Sequence, residues 1–99
     1  MILATHTKQP GESYKVAVDF AKRLQSGEAL ATPTVTSKKV SDGSDSSGTI
    51  VSQVAVSGTK VEARLAAGTH GDDHTVQYRS TTNLGNTYED EITLLIREE

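Results

Sequence analysis

The 99-residue sequence has no cysteine, no tryptophan and only two prolines, and its aromatic residues amount to 4%. Without cysteine, the chain can form no disulfide framework, no thiolate zinc site and no cysteine nucleophile. Scarce aromatics make a stacking platform for carbohydrate hard to assemble. Tyr78 is the one candidate for an exposed aromatic, and core packing is its alternative.

Long hydrophobic runs and basic patches are also missing. No stretch approaches the roughly 18 apolar residues of a membrane span, and Met1–Ala4 is too short for the apolar region of a signal peptide. The formal net charge is -3, and the only adjacent basic pairs are Lys22-Arg23 and Lys38-Lys39. We therefore expect neither membrane nor nucleic acid as a partner.

Period-two alternation is the strongest pattern that is present. Apolar and polar residues alternate over 14–20, 60–65 and 88–97, and weaker strands are predicted at 2–7, 34–40, 50–56 and 75–82. Short strands separated by Gly, Asn and Asp turns are typical of a sandwich or barrel. We predict one all-β domain over residues 1–99, an antiparallel sandwich of about seven strands. One short helical turn near residues 21–27 stays open, because Phe20 and Leu24 also fit helical spacing.

A cluster of possible metal ligands lies at His70-Gly71-Asp72-Asp73-His74. His70, Asp72, Asp73 and His74 are weak candidates, because in an extended strand the two imidazoles would be about 13 Å apart. A polar turn is the preferred interpretation. The segment 42–48 resembles a calcium loop only faintly, since Ser47 and Gln53 stand where the pattern needs Gly and Glu.

Catalytic motifs do not emerge. The chain has no Gly-x-Ser-x-Gly elbow, and so small a core leaves little room for a substrate pocket. We expect no enzyme activity, no cofactor and no small-molecule substrate.

The order of features supports a resemblance to a known family. In chain order they are Lys8-Gln9-Pro10-Gly11-Glu12, a strand ending Val18-Asp19-Phe20, Gly27-Glu28, Val61-Glu62-Ala63-Arg64-Leu65, Ala67-Gly68-Thr69, Ser80-Thr81-Thr82, and Glu91 to Glu99. Over about residues 8–99 this resembles the small tailed-phage and prophage structural proteins of the fibre–tail adaptor or head–tail region type, which are immunoglobulin-like β-sandwiches. Two departures are Ala21-Lys22-Arg23 where relatives often place Trp, and His74 where they often place Tyr. That Tyr resembles a tyrosine corner, so we expect a structural role for a ring nitrogen of His74.

The resemblance implies a non-enzymatic virion protein that docks onto other virion or tail proteins in the tail or head–tail region, with further copies of itself as additional partners. It also implies assembly in the bacterial cytoplasm and a final location in the virion. Loops carry function on rigid scaffolds, so we expect contacts at three loops, through Asp42, Ser44, Asp45, Thr69, His70, Asp72, Asn83, Leu84 and Asn86. An adhesive or glycan-binding immunoglobulin-like module is the alternative function, and a metal-binding domain using residues 70–74 is a weaker one.

Overall fold

Seven β-strands and one short helix make up the computed structural model, which describes the main chain of residues 2–98 and the side chains of residues 5–98. The elements are β1 (Ile2–Lys8), β2 (Tyr14–Asp19), β3 (Leu30–Lys39), α1 (Ser47–Ile50), β4 (Val51–Ser57), β5 (Lys60–Leu65), β6 (Asp73–Thr82) and β7 (Thr87–Ile96). In the described part of the chain, no helix is long and apolar enough to cross a membrane.

The strands form two sheets that pack as a β-sandwich-like pair. One sheet has the order β1-β7-β6-β3 and the other the order β2-β5-β4. The predicted all-β class and the number of strands are confirmed. Burial alternates along β2, β5, β6 and β7, so one face of each sheet supplies the core and the other faces solvent.

The pairing of β1 with β7 is parallel, whereas every other pairing of the described strands is antiparallel. The prediction of antiparallel strands is therefore wrong at this one pair. The register runs from Ala4↔Ile92 to Lys8↔Ile96. Only strands joined by a short hairpin are bound to be antiparallel. The first and last strands are not joined in that way, and β1 leads through residues 9–13 into the other sheet.

The short helical turn expected near residues 21–27 is a single hydrogen-bonded turn from Phe20 to Leu24 that does not continue as a helix. Arg23 N and Leu24 N both donate to Phe20 O, at 2.9 and 3.3 Å, and Glu28 N donates to Gln25 O at 2.9 Å. The Phe20 ring is buried in the core, which holds this segment against the sandwich. The short helix lies instead at α1, where Ile50 N donates to Ser46 O at 2.9 Å.

Buried and exposed residues do not alternate along β4, which covers most of the strand predicted at 50–56. Ile50 is buried but ends α1, and the register with β5 shifts between Ser52 and Ala55. Gln53 has φ 51°, the left-handed conformation found in β-bulges. The extra residue turns Val54 outward, where it is 36% exposed.

The core is one cluster of buried side chains from both sheets. Tyr78 on β6 lies at its centre with no exposed surface, and its hydroxyl donates to Val16 O on β2 at 2.9 Å. Tyr78 is therefore a core residue, the alternative interpretation given above. Burial raises the pKa of its hydroxyl well above the ordinary value, so the group stays protonated as the donor.

Candidate functional site

Two of the three predicted contact loops lie at the same end of the sandwich. Strand β3 ends with Lys39 opposite His74, and β6 begins with Asp73 opposite Leu95. The loop before α1 and the loop before β6 therefore meet beside the end of β7. Val40 N donates to Asp73 O at 2.9 Å. We call this surface, formed by residues 40–46 and 66–72, the loop end.

The first loop is ordered by its own aspartates. Asp42 Oδ1 accepts from Ser44 Oγ at 2.7 Å and from Ser44 N at 2.9 Å, and Asp45 Oδ1 accepts from Ser47 N at 2.9 Å. Such local bonds to the next residues are the usual way Asp shapes a turn. Hydrogen bonds from Ser44 and Ser47 lower the pKa of the Asp42 and Asp45 carboxyls. Both carboxylates therefore stay charged on this surface.

The second loop is fastened to the end of β7. Gly71 N donates to Ile96 O at 2.8 Å, and His70 Nδ1 accepts from Glu98 N at 2.8 Å. At Gly68, with φ 96°, a Cβ would lie 2.9 Å from the Ile96 side chain. Glycine is therefore required there both for the backbone conformation and for the close approach.

Charged pairs join the loops to their neighbours. Asp72 lies 3.4 Å from Lys39 Nζ, and Asp73 lies 2.7 Å from Arg97 Nη2. Thr69 is exposed at the same end. The two ion pairs are partly exposed and add little stability, but they fix the second loop and the start of β6 against the ends of β3 and β7.

The four residues proposed as metal ligands point to different partners. His70, Asp72 and Asp73 are engaged by Glu98 N, Lys39 and Arg97. Among the residues that the structure describes, no group of three or more His, Cys, Asp or Glu is placed to hold a metal ion.

His74 is the fourth of these residues, and it is 4% exposed. Its Nδ1 lies 2.9 Å from Ser46 Oγ, which lies 2.7 Å from Ser37 Oγ. The partner is a side chain in the loop before α1, so the bond ties that loop to the start of β6 and does not reproduce a tyrosine corner. Burial lowers the pKa of the imidazole, which favours the neutral ring.

The third predicted loop lies at the opposite end of the sandwich. Leu30 is opposite Thr82, and Thr81 is opposite Thr87, so the hairpin 83–86 is separated from the loop end by the ten-residue strand β6, about 33 Å. Leu84 at its tip is 53% exposed. We call this surface the hairpin end.

Asn83 fastens the hairpin to the connection between β2 and β3. Its Oδ1 accepts from Ala29 N at 2.9 Å, its Nδ2 donates to Gly27 O at 3.1 Å, and its own N donates to Ala29 O at 3.1 Å. The predicted contact residue Asn83 is therefore committed within the chain, whereas Leu84 is presented outward.

Glu28 is a site residue that the sequence analysis missed. Its buried carboxylate accepts four hydrogen bonds, from Gln25 N at 3.0 Å, Thr82 Oγ1 at 2.7 Å, Asn86 Nδ2 at 2.8 Å and Tyr88 Oη at 3.1 Å. These bonds, with that from Gln25 N the largest contribution, lower its pKa to about 2. All four donors are neutral, so the charge is held by dipoles alone. The only local feature of the sequence that marked this position was Gly27, which indicated a turn directly before Glu28.

Arg23 and Asp90 form a second contact that the sequence did not reveal. Arg23 Nη2 is paired with the buried Asp90 carboxylate, its Nη1 donates to Glu89 O at 2.9 Å, and its guanidinium lies 5.7 Å from the Phe20 ring centroid. The connection between β2 and β3 is thus held to the hairpin by Glu28 and Asn83, and to β7 by Arg23.

Comparison with protein families gives a match over most of the chain. The model of a protein family described as "Podophage GP4 fiber-tail adaptor protein gp77" matches residues 8–95. No curated protein sequence matches the chain.

Proposed function

Because the chain belongs to the family of the podophage GP4 fiber-tail adaptor protein gp77, we propose that it is a non-enzymatic structural protein that docks onto other proteins of a phage tail. Its scaffold is an immunoglobulin-like sandwich in this proposal. Numbered along the chain, the strand orders β7-β6-β3 and β2-β5-β4 correspond to G-F-C and B-E-D of that fold, which supports the assignment.

The observation that carries the proposal is the presence of two ordered loop surfaces at opposite ends. An adaptor has to hold two partners apart, and the longest dimension of the protein is 44 Å. The loop end is fixed by Asp42, Asp72 and His74, and the hairpin end by Glu28 and Asn83. Loops that are ordered before contact lose less conformational entropy on docking. In this proposal each end contacts a different tail protein, and assembly takes place in the bacterial cytoplasm before the virion is complete.

Exposed apolar side chains offer a direct test. Leu84 at the hairpin end and Val40 at the loop end are 53% and 57% exposed, and Val54 on the side of the sandwich is 36% exposed. Each residue is changed to Ser, and the variant protein is supplied to a phage from which the gene for this protein has been deleted. Leu84→Ser and Val40→Ser are expected to reduce the amount of the protein in purified particles, and Val54→Ser is the matched control.

Thermal unfolding checks that each variant is folded. Substitutions at exposed positions change the free energy of unfolding by only about 0.5 kcal/mol, so all three variants are expected to unfold near the temperature of the native chain. A normal particle content for both end variants would contradict docking through the two ends. Reduced incorporation of the Val54→Ser control alone would move the contact to the side of the sandwich.

A further inference from the structure

Each sheet ends in two edge strands, whose unpaired main-chain groups are potential pairing sites for another strand. On β3 this edge is already obstructed. Pro33 has no N–H, Ser46 N donates to Ser37 O at 2.9 Å, and Lys39 N donates to Ser44 O at 2.9 Å. The protein's own loop therefore occupies the second half of β3.

The edges of β4 and β1 are also interrupted. The bulge at Gln53, with φ 51°, divides β4 into two short stretches. On β1, the register shifts between Ile2 and Ala4, and Tyr14 Oη donates to Thr7 O at 3.1 Å. A second chain therefore finds no uninterrupted ladder on these strands.

Strand β2 is different, because its six residues pair with β5 in one unbroken register from Tyr14↔Leu65 to Asp19↔Lys60. Phe20 N donates to Thr59 O at 2.9 Å, in continuation of that register. Hydrogen-bonding direction alternates along an antiparallel strand. Tyr14, Val16 and Val18 therefore direct their main-chain groups toward β5.

The main-chain groups of the residues between them point away from β5, to the open edge. These residues are Lys15, Ala17 and Asp19. None of the described residues hydrogen-bonds the main-chain N–H or C=O groups of Lys15 and Ala17. The edge of β2 thus presents a short, regular and unoccupied ladder.

We propose that this edge pairs with β2 of a second copy of the chain, antiparallel and centred on Ala17. Each Ala17 then faces Ala17 of the other copy, and each Lys15 faces Asp19 of the other copy. All of these residues direct their N–H and C=O groups outward, so each facing pair exchanges two main-chain hydrogen bonds. The two three-stranded sheets become one continuous sheet.

Charge selects this register among the symmetric ones. Centring the pair on Lys15 or on Asp19 places like charges directly opposite, which is unfavourable. Centring it on Val16 or Val18 leaves each charge opposite an uncharged residue. Only the Ala17 register forms two cross-strand ion pairs, and on the inner face it places Val16 of one copy opposite Val18 of the other.

The charged side chains are in a suitable state for these pairs. Lys15 lies directly opposite Arg64 within its own sheet, and an acidic partner would relieve that like-charge contact. Asp19 uses Oδ1 to accept from Ala21 N at 2.9 Å and Thr59 Oγ1 at 2.7 Å. These bonds orient the carboxylate and hold its pKa below the ordinary value, so it is ionised at neutral pH.

Sedimentation of the purified chain over a range of concentrations tests the pairing. We expect a monomer–dimer equilibrium, with amide hydrogens of Lys15 and Ala17 that exchange more slowly as the concentration rises. Ala17→Pro removes an outward N–H and no bond within the chain, so it is expected to weaken the dimer at least tenfold. Thr5→Pro makes the same change on the edge of β1 and should leave the dimer unaffected.

A mixing experiment tests the register itself. Lys15→Glu and Asp19→Lys each create two like-charge pairs and should be monomeric alone, whereas an equimolar mixture of the two should dimerise. Circular dichroism verifies that both variants are folded. If Asp19→Lys is not folded, Lys15→Glu decides the outcome, because that substitution removes no hydrogen bond within the chain. A monomer up to about 1 mM, or a dimer that Ala17→Pro or Lys15→Glu leaves intact, overturns the inference. Since docking at the two ends does not require this pairing, a monomeric chain that still enters tails contradicts the inference alone.

Discussion

The hydroxyl of Tyr78 on β6 donates a hydrogen bond of 2.9 Å to the main-chain oxygen of Val16 on β2. This bond joins the two sheets through the centre of the core, between residues 62 positions apart. It satisfies the one polar group of an otherwise apolar ring, and it fixes how the β2 edge lies relative to the larger sheet.

Removal of this bond should weaken the fold. Tyr78→Phe keeps the ring but leaves the inner lone pair of Val16 O without its donor, which we expect to cost about 1–2 kcal/mol of unfolding free energy. Tyr14→Phe should lower the free energy of unfolding by less, because the hydroxyl of Tyr14 is more exposed. Urea unfolding of both variants measures the difference, and an equal loss would show that the buried bond has no special weight.

Glu28 should make stability depend on acid pH. Its pKa is about 2 in the folded protein, against an ordinary value of 4.5. A carboxyl with a depressed pKa stabilises the fold above the ordinary value, and this contribution is lost as the pH falls from about 4.5 to about 2.

Glu28→Gln should therefore be less stable than the native chain at pH 7, and the difference should shrink toward pH 2. Subtraction of the two urea curves removes the effect of Asp19, Asp42 and Asp45, whose pKa values are also lowered. A difference that stays constant with pH would contradict the role given to the Glu28 charge.

Gly68 and Gly58 form a matched pair for backbone strain. Both have positive φ, 96° and 60°, but a Cβ at Gly68 meets Ile96 whereas one at Gly58 meets nothing within 4 Å. Gly58→Ala should cost about 1 kcal/mol from the left-handed backbone alone. Gly68→Ala should cost a further 1–3 kcal/mol or so from overpacking. Thermal unfolding separates these values, and equal losses would show that Ile96 moves aside freely.

The imidazole of His74 should titrate below its ordinary pKa of 6.5, because burial disfavours the charged ring. The unfolded chain then binds a proton that the folded chain does not, so stability falls as the pH drops below about 6.5. NMR titration of the ring carbons gives the pKa directly. A value above 6.5 would contradict the buried, neutral ring bonded to Ser46.

Strands whose apolar side chains face one core could be predicted from the sequence, as β5 and β7 show. The alternation failed at β4, because the left-handed conformation of Gln53 has no marker in a sequence that offers no Gly or Asn there. The parallel partner of β1 could not be predicted, since register with β7 depends on residues some 90 positions away. The loops expected to make contacts could be located from their turn residues, but their division between two ends required the strand pairing. Glu28 and the Arg23–Asp90 pair were missed because three of the four donors to Glu28, and the partner of Arg23, lie more than 50 positions away in the chain.

Immunogold labelling of purified phage particles tests the central claim most directly. An antibody against the chain, or an epitope added at its C-terminus, should label the tail where the fibres attach, at a constant number per particle. Particles without label, while the chain remains in the soluble fraction of the lysate, would contradict a structural role in the tail.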